Sequence, residues 1–427
     1  MTDDALFLIV GAGQAGATAA AALRAFGHAG RIVVVGGERP LPYERPALSK
    51  SVLSDAAMDA QIDIHPTGFH AERSIELRLG IRITAIDAAR ALAHCSDGES
   101  LPFSRCLLAT GGTARTLPGL PEGTPRIHYI RSLADAQALR QALRQERSVL
   151  VLGAGFLGLE IASTARGMGL EVTVLESAPR VLPRAVPPAF SHWLQQRVRR
   201  AGVDLRLDGR CASIEARADG VRITLDDRSS LQSPLLVVAV GQTPDVALAQ
   251  ASGLDLHPAN GGIRVDAHCR TSAPRIFAAG DCTSQFQPLL GAEIRLESWQ
   301  SANEQARIAA AAMLGVPTEP AATPWFWTDQ FGCNVQMLGM PVAGLSYHLR
   351  GQPAPDDAAP RFLQLGLDDA HRLRHAIAVN AGGDLRQLRP LIEQRAPCEA
   401  ALLRDTSIPL RQLVRDTVAA AATSSFS

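Results

Sequence analysis

This sequence of 427 residues contains a single lysine, has no net charge and lacks long apolar segments. The 42 basic and 42 acidic residues balance, which argues against nucleic-acid binding because that requires an excess of positive charge. No apolar segment reaches the roughly 18 residues needed to span a bilayer, and the start, MTDDALFLIVGAG, lacks the basic region of a secretory signal. We therefore expect a cytoplasmic protein that binds neither nucleic acid nor membrane.

Closely spaced cysteines are also missing. None of the seven cysteines stands in a CxxC pair, so the spacings of zinc ribbons, thioredoxin-like motifs and iron–sulfur ligands are absent. The 11 histidines form no ligand-like cluster. An odd, dispersed set of cysteines is typical of free thiols in a reducing compartment, and we expect no bound metal.

A glycine-rich turn, GAGQAG at 11–16, stands near the start of the chain. An apolar run precedes it, and a helix-forming stretch and a second apolar run follow. This strand–turn–helix–strand order is typical of a dinucleotide site, where glycines let the pyrophosphate approach and the helix start attracts its charge. We predict that Gly11, Gly13 and Gly16 bind one dinucleotide.

The same arrangement recurs as GAGFLG at 153–158. The strand that follows ends in Glu176, whose carboxylate can accept hydrogen bonds from a ribose diol and repel a 2′-phosphate, which favours NAD over NADP. Arg180 and Arg184 follow closely and can instead meet a phosphate, so this preference stays open. Two such turns indicate two dinucleotides, one held tightly and one exchanged; the alternative is a duplicated fold with one inactive site. The residues predicted for the second site are Gly153, Gly155, Gly158, Glu176, Arg184 and Gly241.

A third motif, IFAAGD at 276–281, ends in Asp281. Its carboxylate can accept a hydrogen bond from a sugar-alcohol hydroxyl, although small residues after a strand also form ordinary turns. Two further runs, CLLATGG at 106–112 and VVAVGQTPD at 237–245, each end a buried strand in small residues and indicate crossings between domains beside a cofactor. We expect Asp281 to share a pocket with the turn at 11–16.

These motifs set the predicted domain boundaries and an α/β fold class with two Rossmann-like domains. Residues 1–115 and 245–323 form the first dinucleotide-binding domain, and residues 116–244 form a second one inserted into it. After a proline-rich linker, residues 324–427 form a C-terminal α+β domain.

Three smaller expectations concern helices. A double proline and a following glycine predict a helix over 188–200. In the C-terminal domain a helix is expected near 384–394, and the tail at 419–427 is expected to fray.

The whole pattern resembles the FAD-dependent pyridine-nucleotide oxidoreductases of glutathione-reductase-like fold. Within them it is most similar to the ferredoxin reductase components of bacterial oxygenase systems, which serve ring-hydroxylating dioxygenases or, in the putidaredoxin type, cytochrome P450. The resemblance implies tightly but non-covalently bound FAD, NADH as an exchanged co-substrate, and a C-terminal interface domain. The motifs that carry it are GAGQAG, PYERPALSK at 42–50, ATGG at 109–112, LGAGFLGLE at 152–160, AAGD at 278–281, RLESWQSANEQA at 295–306 and PWFWTDQF at 324–331.

One lysine stands where disulfide reductases of this fold carry a redox cysteine pair. The segment RPLPYERPALSKSVL contains no cysteine, which argues against dithiol chemistry at this place. Of the 42 basic residues, 41 are arginine and one is Lys50, which indicates a need for a compact ammonium group. The resemblance places such a lysine beside the flavin ring near N5, where a fixed cation favours electron density on the reduced flavin.

The resemblance also assigns further residues. Glu160 lies near the nicotinamide and pairs with the lysine, and Trp299 packs beside the isoalloxazine; the alternatives are a solvated helix acid and an ordinary core tryptophan. Lys50, Glu160 and Trp299 are thus the candidate catalytic residues. The remaining candidate FAD contacts are Ile83, Ala109, Arg131 and Asp281.

One position departs from the family pattern. Relatives usually carry an acid at position 37 to hold the adenosine ribose of FAD, whereas this chain has Gly37 followed by Glu38. We expect Glu38 to take over this contact, which requires a strand shift or a rearranged ribose.

The implied activity is hydride transfer from NADH to FAD, followed by single-electron transfer to a [2Fe–2S] ferredoxin. This ferredoxin feeds an oxygenase, in the first place an aromatic-ring dioxygenase of hydrocarbon catabolism and otherwise a P450. It is expected to dock through arginines near the flavin edge. The densest arginine run, at 197–206, is equally typical of a solvated helix face.

Two alternatives stay open. The acceptor can instead be a rubredoxin, a quinone or oxygen. The chain can also be a non-enzymatic NAD-sensing flavoprotein of apoptosis-inducing-factor type, whose C-terminal domain binds partners. The sequence leaves open whether the protein is a monomer or a homodimer, and which ferredoxin, oxygenase and substrate it serves.

Overall fold

The computed structural model describes residues 6–318, 321–354 and 356–424. The chain start, part of the proline-rich linker and the last three residues of the tail, on which sequence expectations fall, lie outside the described residues. The helices are α1 (Gln14–Ala25), α2 (Ser51–Ser54), α3 (Phe69–Glu72), α4 (Leu133–Gln145), α5 (Phe156–Gly167), α6 (Pro188–Arg200), α7 (Ala247–Ala251), α8 (Trp299–Leu314), α9 (Gly382–Gln387), α10 (Arg389–Glu393), α11 (Ala400–Arg404) and α12 (Leu410–Ser424).

The strands occur singly and in consecutive runs between these helices. They are β1 (Phe7–Val10), β2 (Ile32–Gly36), β3 (Ile75–Leu79), β4 (Ile83–Asp87), β5 (Leu92–Cys95), β6 (Ser100–Pro102), β7 (Arg105–Leu108), β8 (Gly112–Ala114), β9 (Ile127–His128), β10 (Ser148–Leu152), β11 (Glu171–Leu175), β12 (Val203–Arg206), β13 (Cys211–Arg217), β14 (Gly220–Leu225), β15 (Ser230–Ser233), β16 (Leu236–Val238), β17 (Gln242–Pro244), β18 (Ile263–Val265), β19 (Ile276–Ala278), β20 (Thr283–Gln287), β21 (Ala292–Ile294), β22 (Trp325–Gln330), β23 (Cys333–Gly339), β24 (Ser346–Gly351), β25 (Phe362–Leu367) and β26 (Leu373–Val379).

The chain folds into two compact units, and the first combines three segments, Met1–Pro46, Ala60–Thr113 and Gln242–Ala322. Its central sheet is parallel, in the order β19-β7-β1-β2-β3. Such a sheet is covered on both faces, and its inner strands β1 and β2 are accordingly buried along their whole length. The ends of its inner strands therefore meet at one edge, where the glycine-rich turn follows β1.

Alternation along β1 divides the core of the first unit into two layers. Phe7 and Ile9 face a cluster with alanines of α1 and α8, and their small side chains let the two helices approach the sheet. Leu8 and Val10 face the opposite cluster, which includes Phe103 and other residues around β4 to β6. The turn at 11–16 is thus anchored by a strand that is buried on both faces.

The second unit comprises Ala47–Asp59, Ala114–Gly241 and Thr323–Ser427. It contains a second parallel sheet, in the order β12-β11-β10-β16-β9. An antiparallel ribbon, β13-β14-β15, packs on this sheet through a shared apolar cluster. The unit thus repeats the arrangement of the first, with a glycine-rich turn after its central strand β10.

The C-terminal part of the second unit is an antiparallel sheet with helices, in the strand order β22-β23-β26-β25-β24. The predicted fold class, two Rossmann-like units with a C-terminal α+β part, is confirmed. The helix predicted over 188–200 is present as α6. The division into three domains with the boundaries given above stays a prediction.

One expectation for the C-terminal part is wrong. The helix expected near 384–394 is two short helices, α9 and α10, because Pro390 has no N–H for a continuous ladder and restricts the residue before it. The tail is helical to Ser424, and Leu410, Leu413 and Val414 bury one face at the start of α12; its fraying stays a prediction. Among the described residues no helix is long and apolar enough to cross a membrane.

Candidate functional site

Two glycines of the first glycine-rich turn are required by packing within the protein, independently of any ligand. Gly11 has a φ of +112°, and a Cβ there would lie 2.2 Å from the Ala109 carbonyl oxygen. A Cβ on Gly16 would lie 1.9 Å from the Gly11 oxygen. Gly13, the N-cap of α1, is different, because a Cβ there would have no atom within 4 Å. This open space in front of a helix start fits a pyrophosphate group.

The AAGD turn lies against the same helix start. A Cβ on Gly280 would be 3.2 Å from the Ala15 Cβ. Gln305 fixes this turn, since its amide oxygen accepts a hydrogen bond from the Gly280 N–H at 2.7 Å. Asp281 accepts a hydrogen bond from the Gln242 side-chain amide at 3.1 Å. The structure therefore brings Asp281 and the first turn together, as the sequence predicted.

The other candidate residues of the first unit lie in three different environments. Ala109 is buried, and its carbonyl group forms the wall against Gly11. Ile83 begins β4, is partly buried and pairs with Cys95 of β5. Trp299 is the first residue of α8 and is half-buried, so it is not a fully enclosed core side chain.

Glu38 follows the end of β2 and is held by two side chains. Its carboxylate accepts a hydrogen bond from the Tyr43 hydroxyl at 2.5 Å and forms an ion pair with Arg45 at 2.6 Å. The Arg45 guanidinium also lies over the Tyr43 ring, 5.1 Å from its centroid. The contact of Glu38 with the adenosine ribose of FAD stays a prediction.

The second glycine-rich turn has the same internal packing. Gly153 has a φ of +105°, and a Cβ there would lie 2.5 Å from the Ala239 oxygen. A Cβ on Gly158 would lie 2.0 Å from the Gly153 oxygen, whereas Gly155 again faces open space. The second turn therefore also leaves room for a phosphate at its middle glycine.

Glu176 directly follows β11, at the edge of the second turn. One of its carboxylate oxygens accepts the Ala154 N–H at 2.7 Å, and the other accepts the Ala178 N–H at 2.8 Å. These two bonds fix the carboxylate while it remains partly exposed. A fixed acceptor at this place can bind a ribose diol and disfavours a 2′-phosphate.

The two arginines after Glu176 differ in availability. Arg180 donates hydrogen bonds to the Val186 carbonyl at 2.7 Å and the Pro183 carbonyl at 2.6 Å, so its guanidinium supports its own loop. Arg184 is exposed. Gly241 has a φ of +107°, and its Cβ position faces open space.

Glu160 and Lys50 form an ion pair inside the second unit. The Glu160 carboxylate on α5 is buried, and the Lys50 ammonium lies 2.9 Å from its Oε1. The Ser49 hydroxyl donates to Oε2 at 2.6 Å, and the Thr328 hydroxyl donates to Oε1 at 2.6 Å. The expected pair is therefore present, and the alternative of a solvated helix acid is wrong.

Arg131 belongs to the same compact unit as the second turn. Its backbone N–H donates to Asp135, whose carboxylate also caps the start of α4. The contact of Arg131 with FAD phosphates stays a prediction.

The arginines of the dense run at 197–206 form hydrogen bonds and ion pairs within the second unit. Arg197 donates to the Phe331 carbonyl, Arg200 lies 3.5 Å from Asp356, and Arg206 lies 2.9 Å from Asp204. These contacts favour a structural role for the run over a docking surface.

All seven cysteines are free. Burial raises the pKa of Cys106 and Cys269, and raises the pKa of Cys398 to about 11. Thiols of this kind are poor nucleophiles and poor redox relays. The described residues contain no group of three or more histidine, cysteine or acidic side chains that could hold a metal ion.

Sequence reasoning did not find the residues that support these groups. Ser49 and Thr328 hold Glu160, and Gln305 and Gln242 hold the AAGD turn. Asn303 accepts hydrogen bonds from two side chains at the start of α1. A usable signal for Thr328 is its place within the motif PWFWTDQF at 324–331.

The chain contains two turns with the shape of a dinucleotide site, which is typical of oxidoreductases that use two nucleotides. Residues 7–306 match the pyridine nucleotide-disulphide oxidoreductase family, and residues 325–414 match the reductase C-terminal family. The chain belongs to the pyridine nucleotide-disulphide oxidoreductase family.

Three similar proteins cover almost the whole chain. The ferredoxin–NAD(+) reductase component of the anthranilate 1,2-dioxygenase system of Burkholderia cepacia is 41% identical over 405 residues, covering 95% of this chain and 98% of the relative. The reductase in a covalent putidaredoxin reductase–putidaredoxin complex has a TM-score of 0.91 and 33% identity, covering 97% and 99% of the two chains. A ferredoxin reductase from Rhodopseudomonas palustris has a TM-score of 0.89 and 34% identity, covering 96% and 99%.

Proposed function

We propose that this chain is the NADH-dependent, FAD-containing reductase of a small [2Fe–2S] ferredoxin that feeds an oxygenase. One observation carries the proposal: both glycine-rich turns face open space at the middle glycine, Gly13 and Gly155, so that one chain has room for two dinucleotides. The similarity to reductases named for ferredoxin, over nearly full length, supports the acceptor. The higher identity to a dioxygenase component favours an aromatic-ring dioxygenase over a P450 as the final consumer.

The first unit is the proposed FAD site. Bound FAD would accept a hydride from NADH and release electrons singly to the ferredoxin. The helix start at Gly13 would face the pyrophosphate, and the fixed Asp281 carboxylate would accept a hydrogen bond from a hydroxyl of the ribityl–phosphate segment. The residues proposed to bind FAD are Gly11, Gly13, Gly16, Glu38, Lys50, Ile83, Ala109, Arg131, Asp281 and Trp299.

The second turn is the proposed NADH site. Glu176 would accept hydrogen bonds from the adenosine ribose, and its negative charge would select against a 2′-phosphate. Arg180 is committed to carbonyl groups of its own loop, which supports NADH as the physiological donor. The residues proposed to bind NADH are Gly153, Gly155, Gly158, Glu176, Arg184 and Gly241.

Three residues are proposed for the redox chemistry. Lys50 supplies a fixed positive charge, Glu160 holds that charge in place, and Trp299, a partly buried side chain, would stack beside the isoalloxazine. The segment at 42–50 contains no cysteine, so electrons pass to the ferredoxin without a thiol relay. Free, buried thiols also support a cytoplasmic location.

The experiment that tests this function uses the purified protein with several acceptors. The protein is expected to be yellow, to release FAD on denaturation, and to be bleached anaerobically by NADH much faster than by NADPH. A plant-type or Rieske-type [2Fe–2S] ferredoxin should then be reduced many times faster than rubredoxin, a quinone or oxygen.

The controls separate the alternatives. Faster turnover with rubredoxin or a quinone would replace the acceptor while leaving the two nucleotide sites intact. A reduced flavin that persists with NAD bound and passes electrons slowly to every acceptor would favour an NAD-sensing protein. Equal reduction by NADPH would remove Glu176 from its proposed role.

A further inference from the structure

The buried carboxylate of Glu160 collects hydrogen bonds from two distant parts of the second unit. Its contacts are the Lys50 ammonium, the Ser49 hydroxyl and the Thr328 hydroxyl. Among the described residues, Lys50 is the charged group in contact with this carboxylate. Ser49 and Thr328 are both almost fully buried, so neither exchanges its partner for water.

The hydrogen-bond direction at Thr328 is fixed by a third residue. The Gln330 side-chain amide donates to the Thr328 hydroxyl oxygen at 3.3 Å. Because a hydroxyl has one proton, the proton of Thr328 is directed to Glu160. The Glu160 carboxylate therefore contacts two hydroxyl donors and one ammonium group.

Helix α5, which carries Glu160, also forms hydrogen bonds with both segments that contact this carboxylate, the Ser49–Lys50 segment and the end of β22. One turn after Glu160, the Thr164 hydroxyl donates to the Ser49 carbonyl at 2.7 Å. Between them, the Ser163 hydroxyl accepts the Phe331 N–H at 2.7 Å, at the end of β22. The contacts on one face of α5 therefore set the positions of the Lys50 segment and of β22 together.

We propose that Thr328, with Ser49, is a positioning residue that fixes Glu160 and thereby holds the Lys50 ammonium in place for the redox reaction. The C-terminal sheet thus contributes one hydroxyl group to the support of the Glu160–Lys50 pair. This inference rests on the proposed function, because it needs Lys50 to act on the flavin.

The test compares variants of the FAD-loaded protein by anaerobic rapid mixing with NADH and by measurement of the flavin midpoint potential. Thr328→Val keeps the shape of the side chain and removes the donor. We expect its limiting rate of flavin reduction to fall roughly three- to tenfold, with the NADH Kd within about twofold of wild type. We also expect the potential to become more positive, because a looser Glu160 neutralises Lys50 less. A slower reduction at a more positive potential cannot come from driving force and therefore indicates lost positioning.

Two further variants serve as rescue and control. Thr328→Ser keeps the hydroxyl and should restore the rate to within about twofold of wild type. Thr323→Val is the matched control, since Thr323 is also buried and donates to a glutamate, Glu393, at 3.0 Å in the same unit. It should leave the rate and the potential unchanged.

The outcomes separate this inference from the proposed function. A Thr328→Val protein with wild-type rate and potential overturns the inference if Lys50→Met is slowed, and the proposed function then stands. Equal slowing by Thr328→Ser or Thr323→Val also overturns it, because packing would then be the cause. If Lys50→Met itself changes neither quantity, the role of Lys50 in the proposed function fails. Should Thr328→Val not fold, Ser49→Ala removes the other donor and is expected to give the same signature; its absence overturns the inference.

Discussion

The two glycine-rich turns are nearly identical where the protein packs against itself and different where a nucleotide is recognised. In both, the first glycine lies against the carbonyl of a neighbouring alanine, and the third lies against the first. In both, the N–H of the first glycine donates at 2.8 Å to the last apolar residue of the adjacent strand, Val35 or Leu175. The common part is therefore a folding constraint and not a record of which nucleotide binds.

The two regions differ in the position of the acidic residue that follows the adjacent strand. By this hydrogen-bond register Glu176 corresponds to Gly36, and a Cβ on Gly36 would lie 2.5 Å from the Ala12 Cβ. In the second unit the matching alanine, Ala154, donates its N–H to Glu176. In the first unit the acid is displaced to Glu38 and is held by Arg45 and Tyr43 instead. The glycine pattern alone thus predicts a dinucleotide, and the position of the acid distinguishes the two sites.

The largest expected effect comes from breaking each turn at its third glycine. Gly16→Ala and Gly158→Ala place a methyl group about 2 Å from a backbone oxygen, so each should lower the free energy of unfolding by about 3 kcal/mol or more. Gly16→Ala should lose FAD, and Gly158→Ala should stay yellow but resist reduction by NADH. Chemical denaturation and flavin absorbance measure both effects.

The middle glycines provide the matched controls. Gly13→Ala and Gly155→Ala meet no protein atom within 4 Å and should change the free energy of unfolding by less than about 1 kcal/mol. Each substitution should still weaken the binding of the nucleotide at its own turn. If these variants unfold as readily as the third-glycine variants, the division between folding and binding glycines is wrong.

A second prediction concerns the acid stability of the second unit. Burial lowers the pKa of His375 in the second unit from 6.5 to about 4. The unfolded chain therefore binds a proton between these values that the folded chain does not, and stability is lost as the pH falls from about 6.5 to 4. The loss should amount to roughly 3 kcal/mol.

His375→Gln, which can still hydrogen-bond to Tyr347, should remove most of this slope. Denaturation curves at several pH values measure it, with Tyr347→Phe as the control that keeps the histidine. An unchanged slope in His375→Gln would assign the acid sensitivity to another group.

Ligand protection of thiols should separate the units further. Cys106, Cys269 and Cys282 are buried in the first unit, and Cys333 and Cys398 are buried in the second. NAD at about 100 times its Kd should raise the opening free energy of the second set by roughly 2.7 kcal/mol and leave the first set unchanged. Alkylation at increasing urea, read by mass spectrometry, tests this; protection of both sets alike would mean that the units open together.

The smallest effect is expected at the two acids. Glu176→Gln replaces an oxygen that accepts a backbone N–H with an amide group and should raise the NADH Kd by about tenfold, close to 1.4 kcal/mol, with FAD content unchanged. Glu38→Gln should instead affect FAD retention. Fluorescence titration and flavin content measure the two effects, and a crossed result would reverse the assignment of the sites.

Much of this arrangement is predictable from sequence because it depends on local signals. Helix α6 is predicted at its observed bounds, since a double proline and a glycine mark its ends. The break before Pro390 also has a local signal, the proline itself, which the expectation of one continuous helix left out. Helix α12 escapes prediction because an alanine-rich tail has few large apolar residues, although Leu410, Leu413 and Val414 anchor its start.

The contacts around Glu160 are only partly predictable. The pairing with Lys50 follows from the family resemblance, but the Thr328 contact joins residues 168 positions apart. No local pattern specifies which hydroxyl group meets which carboxylate over such a separation. Only the register of β22, which turns Thr328 inward opposite Val335, determines it.

The most direct test of a flavin that works without a thiol relay is an anaerobic NADH titration of the purified protein, with a thiol count before and after. We expect one NADH per FAD to bleach the flavin completely, and the number of reactive thiols in the denatured protein to stay at seven throughout. Consumption of two NADH per FAD, with two additional thiols appearing on reduction, would reveal a disulfide relay and contradict this central claim.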